Sequence, residues 1–204
     1  MFLEYGDFIG SLALLRPAVG MVVWRKDDEL ARTIAAFSEI IAGLPGEPIV
    51  AHLRGEGHDS QWFREQLVGQ LQAPDAGHTW LLIHKIEEVL TAAARLLNGS
   101  REQLGRFQAV LVFVRENRRG EFQESCPDLM DWIGLRMARV DEFASVRELE
   151  DIERSIARLE SKHGMTTDSF SRSPSTVESV SASDAWLWRE LLAIRSDLME
   201  ERQR

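Results

Sequence analysis

Apolar and polar positions fall in blocks along this chain, and the blocks predict its elements. Ala109-Val110-Leu111-Val112-Phe113-Val114 is an unbroken apolar run rich in β-branched residues, the pattern of a strand buried on both faces. Charge begins abruptly at Arg115-Glu116-Asn117-Arg118-Arg119. After Gly120 an amphipathic segment follows, whose Phe122, Leu129 and Trp132 are expected to anchor it on the core. Three further runs read as strands: Val19–Trp24, Pro48–Leu53 and Thr79–His84. Helical spacings lie between them. Asp27 or Asp28 is placed to cap a helix carrying Leu30, Ile34, Phe37, Ile40 and Ile41. Asp59 or Ser60 starts another with Trp62, Phe63, Leu67 and Leu71, and Ile86–Leu97 is an alanine-rich third. A weak fifth strand is expected at Arg136–Val140, and a short helix before Pro17. Strands joined by single helices imply parallel pairing. The expected fold is therefore α/β, a three-layer sandwich with a mainly parallel sheet of four to five strands, plus C-terminal helices.

The pattern changes after Ser145. Leu149, Ile152, Ile156 and Leu159 form a narrow apolar seam on a charged helix, which Gly164 ends. Residues 165–183 are rich in serine and threonine with little to bury, and read as a flexible linker. Residues 184–204 follow as an amphipathic tail helix with Asp184 as its cap. Its Trp186, Leu187, Trp188, Leu191, Leu192, Ile194, Leu198 and Met199 are the candidate partner-binding residues, since so apolar a surface usually marks an interface. This divides the chain into an α/β domain over 1–164, a linker over 165–183 and the tail.

Composition narrows the functions. In 204 residues, 44% are hydrophobic and 28% charged, ordinary values for a globular protein. A net charge of −9 opposes unspecific nucleic-acid binding, because a phosphate backbone would be repelled. The single cysteine, Cys126, excludes an internal disulfide and reads as a buried structural thiol. The apolar N-terminal stretch lacks a basic region and is interrupted by Glu4 and Asp7, so neither a secretion signal nor a membrane span is expected, and the expected location is cytoplasmic.

In parallel sheets ligands sit at the carboxyl ends of strands. Those ends read WRKDD, HLRGEGHDS, IHKIEEV and VRENRRGE. A P-loop is absent, and Gly55-Glu56-Gly57 carries a carboxylate that would repel an anion. Asp27 with Asp28, and Glu87 with Glu88, are placed either to hold Mg²⁺ or to favour a helix N-terminus through its dipole; the second reading is preferred. His52, His58, His78 and His84 lie near strand starts or ends without metal-ligand spacing. Trp24, Trp62, Trp80 and Trp132 fall within apolar patterns and read as core.

The order VVWRKDDELARTIAAF, TWLLIHKIEEV, LLNGSREQLGRFQAVLVFV and CPDLMDWIG resembles the ATPase-like domain of bacterial STAND-type signalling and defence proteins. The resemblance covers roughly 18–143, and its specific part is 96–132. It implies the fold and a signalling or defence setting. In active members the family would bring ATP and Mg²⁺, but His84-Lys85 stand where an acid would be expected, and no nucleotide residue carries over to this chain. The expectation is a P-loop-less, degenerate relative with no cofactor, metal or catalytic residue. It would act as a non-enzymatic adaptor or inhibitor, binding another protein or a copy of itself, with no nucleic acid or membrane as partner. The alternatives are a nucleotide-sensing or Mg²⁺-dependent enzyme using the acidic strand ends, and a regulator cut by a protease in the linker.

Overall fold

A computed structural model describes residues 5–15, 18–140, 149–172 and 180–203. The chain divides into two compact units, one of Met1–Lys26 with Phe37–Ala144, the other of Asp27–Ala36 with Ser145–Arg204.

The first unit is built on the predicted strands. They are β1 (Val19–Trp24), β2 (Ile49–Arg54), β3 (Thr79–His84), β4 (Ala109–Arg115) and β5 (Met137–Arg139). Every pairing is parallel, in the order β2-β3-β4-β1-β5. The expected fold class is the one observed. Residues Val19–Trp24 and Thr79–His84 are buried throughout, and β4 is buried up to Val114. Strand β2 is only partly buried. It pairs on one side only, and Ile49 at its start is 44% exposed, because an edge strand has no second neighbour to cover it.

Helices cover both faces. On one, Val19, Met21, Val23, Leu81, Ile83, Val110, Val112 and Val114 share a core with residues of the following helices. These are α3 (Ser60–Gln72), α4 (Leu90–Gly99), α6 (Arg119–Ser125) and α7 (Pro127–Ile133), while α5 is the single turn Arg101–Leu104. Phe122 and Leu129 are fully buried in this core and Trp132 is half-buried against it, as their spacing predicts. Asp59 caps α3 by accepting from the Trp62 N–H at 2.8 Å, and Asn98 Oδ1 accepts from the Leu129 N–H at 2.9 Å. On the other face lie α1 (Tyr5–Ala13) and the Phe37 end of α2 (Asp27–Ala42). Phe8 stacks on Phe37, and Phe37 meets Phe113 at 6.0 Å.

Two helix starts differ from expectation. Helix α2 begins at Asp27, so both aspartates lie in its first turn, where the helix dipole favours carboxylates. Helix α4 begins at Leu90 rather than Ile86: Lys85 takes φ +53°, which breaks the path from β3, and Glu87 and Glu88 form a turn.

In the second unit, α8 (Leu149–His163) pairs with α10 (Ala182–Gln203). Ile152, Ile156 and Leu159 of the α8 seam are buried. Within the expected linker, α9 spans Thr167–Arg172 and buries Phe170, while 173–179 lie outside the described residues. The apolar ring of Phe170 supplies what the serine-rich composition hid. Helix α10 starts two residues before Asp184. Ser181 is its cap, its Oγ accepting from the Asp184 N–H at 3.1 Å.

Candidate functional site

The crevice of a parallel sheet opens where neighbouring strands send their chains to opposite faces. Here those neighbours are β1 and β4. The chain after β1 leads to α2, whose Phe37 packs on one face. The chain after β4 leads to α6, whose Phe122 is buried on the other.

Every strand of the sheet ends on a cation or one residue before it: Arg25, Arg54, Lys85, Arg115 and Arg139. Three of these ends are tied together. Glu116 Oε2 lies 3.2 Å from Arg25 Nε and 3.2 Å from Arg139 Nη2, so one carboxylate joins the ends of β1, β4 and β5. Beside it the Trp24 ring, 1% exposed, carries the Arg115 guanidinium at 4.8 Å and the Lys85 ammonium at 5.5 Å from its centroid. The indole quadrupole attracts both cations. The Trp24 indole N–H finds no acceptor among the described residues.

At the β2 end, Arg54 pairs with Glu56 and the Gly55 N–H donates to the His84 carbonyl at 3.1 Å. A Cβ on Gly55 would stand 3.1 Å from the Lys85 carbonyl oxygen and 3.2 Å from the Ile86 Cα, so any larger residue would push these two strand ends apart by a few tenths of an ångström. His84 is wholly buried, with its ring edge-on to His52 at 5.7 Å. Burial, and then the neighbouring His52, Arg54 and Lys85, hold His84 well below the ordinary imidazole range. It is a neutral core residue.

The predicted acidic pairs are used locally. Asp28 accepts from Arg32 at 2.7 Å, and Glu88 accepts from the Gly57 N–H at 3.1 Å. His58 stacks on Trp62 at 3.6 Å, whereas His78 lies in the turn that leads into β3, at the amino end of the sheet. Among the described residues no three carboxylate, imidazole or thiol side chains converge as metal ligands. Arg118 is held by Glu121 at 2.8 Å and donates to the Glu87 carbonyl, and Thr91 also donates to Glu121. Its pairing with Arg118 draws the Glu121 carboxyl below its usual range. Arg115 on Trp24 and Arg118 on Glu121 thus serve different partners. The Cys126 thiol donates to the Phe122 carbonyl at 2.9 Å, and burial pushes it up to about 12, which removes nucleophilic thiolate.

The proposed partner-binding residues of the tail occupy a different setting. Trp186, Leu187, Trp188, Leu191 and Ile194 are buried, Leu192 is half-buried and Met199 exposed; the side chain of Leu198 lies outside the described residues. Four consecutive buried residues, Ala185 to Trp188, go fully round a helix, so this turn of α10 is enclosed rather than striped. Trp188 stacks on Phe170 at 4.4 Å and donates its indole N–H to Thr167 Oγ1 at 3.2 Å. Buried Asp184 takes Lys162 Nζ and His163 Nε2, both at 2.9 Å.

The cations at the strand ends are visible in the sequence as a recurrence. Their joint use of Glu116 and Trp24 is not, because it depends on β5 lying beside β1. The fold defines a class, a three-layer α/β domain with an all-parallel sheet. Comparison with family models, with curated proteins and with solved structures finds no match. Among the described residues no helix is long and apolar enough to cross a membrane.

Proposed function

We propose that this chain is a non-enzymatic interaction protein, an adaptor or inhibitor within a bacterial signalling or antiviral-defence system. The observation that supports it is the crevice at the carboxyl ends of β1 and β4. There Glu116 is spent on Arg25 and Arg139, and Lys85 and Arg115 are spent on Trp24. Side chains that would orient a substrate in a working crevice tie strand ends together instead. The signalling setting rests on the resemblance of 96–132. The tail belongs to this reading as an interaction element already engaged within its own chain, so a partner that takes α10 has to compete with α8 and α9.

Calorimetric titration of the full chain with ATP and Mg²⁺ tests the proposal. A flat titration is expected. Saturable micromolar binding, lost on Asp27→Ala with Asp28→Ala, overturns it in favour of a nucleotide sensor.

A further inference from the structure

A groove of about 740 Å³ runs between α3 and α4, lined by Ser60, Arg64 and Glu65 on one side and by Ala92, Arg95 and Leu96 on the other. Glu65 accepts from the neutral Gln61 amide at 3.0 Å and keeps its charge, while Arg64 and Arg95 are exposed and make no ion pair or hydrogen bond with any described residue. Two arginines against one carboxylate leave the groove net positive in a chain of net charge −9. The apolar lining of the groove is Ala92 and Leu96, half-buried and one helical turn apart on α4.

Two guanidinium groups from different helices, sharing their groove with Ala92 and Leu96, suit carboxylates that flank an aliphatic side chain. Guanidinium binds carboxylate through paired N–H donors in one plane, a geometry an ammonium does not offer. We propose that the α3–α4 groove binds an acidic peptide segment of a protein partner, its carboxylates on Arg64 and Arg95 and an apolar side chain against Ala92 and Leu96. Nucleic acid fits poorly, because a long phosphate backbone would meet the whole chain's net charge of −9, whereas a short peptide segment meets only the groove. The proposal rests on the reading of the chain as an interaction protein and names the surface and partner chemistry for it.

The test is selection of a displayed random 12-residue peptide library on the full chain, with the double variant Arg64→Ser, Arg95→Ser as the comparison. Both arginines are exposed, so the variant is expected to melt with the parent. The expected peptides carry two or more Asp or Glu beside a Leu, Ile or Phe. A synthetic copy of one should bind the double variant at least tenfold more weakly. Peptides without acidic bias, or equal binding to both proteins, overturn the groove and leave the interaction reading standing. An empty selection also overturns it. A concentration-dependent dimer that the double variant loses would assign the groove to a second copy instead, and likewise overturn the proposal. The interaction reading itself falls to saturable ATP binding, so the two failures are told apart.

Discussion

Gly20 and His84 show how single residues are committed to the sheet rather than to chemistry. A Cβ at Gly20 would lie 3.1 Å from Leu111 Cδ2, 3.2 Å from Leu12 Cδ2 and 3.3 Å from the Arg136 carbonyl. That carbonyl accepts from the Met21 N–H and sets the register of β5, so it cannot retreat freely. Gly20→Ala should destabilise the first unit by about 1–3 kcal/mol, the usual cost of overpacking; chemical denaturation checks it. His84 gives a pH dependence. Its folded pKa lies below the unfolded value of 6.5, so on acidification the unfolded chain takes up the proton first. Its stability contribution is complete above pH 6.5 and is lost as pH falls from there toward the folded value. His84→Gln should flatten the acid limb of a stability–pH profile just below pH 6.5, and an unchanged slope would show that another group carries it.

At the scale of elements, periodicity served where burial is regular. Runs such as Val110–Val114 can only be strands inside a sheet, and the spacing of Phe63, Leu67 and Leu71 on α3 matches their burial. It served less well where one residue changes the path. Nothing in the pattern of IHKIEEV marks the positive φ of Lys85, which holds Glu87 and Glu88 out of α4. Serine-rich composition likewise concealed α9, whose single buried aromatic, Phe170, holds it against Trp188. That stack makes Trp188 the test of the tail. Trp188→Ala removes a fully buried ring, a stacking partner and a hydrogen bond to Thr167, and should cost the second unit about 3–5 kcal/mol. Hydrogen exchange should show protection lost along α8 and α10. Unaltered exchange would mean that the α8–α10 pair does not depend on this side chain.

For the whole molecule, the all-parallel sheet follows from strand–helix alternation, and the five cations at its carboxyl edge are legible one by one. What they do is not legible, because pairing across β4, β1 and β5 joins residues far apart in sequence, Arg25 to Glu116 and Glu116 to Arg139. The same holds for Arg64 and Arg95, whose common groove exists only once α3 and α4 lie side by side. The proposal that the chain acts by contact with another protein draws on the strand-end ties of Glu116, the buried side chains of α10 and the α3–α4 groove together. Crosslinking mass spectrometry on the full chain isolated from its native host measures this most directly. The expected result is a stoichiometric protein partner crosslinked to the chain. A chain that elutes alone and turns over or tightly holds a small molecule would contradict it.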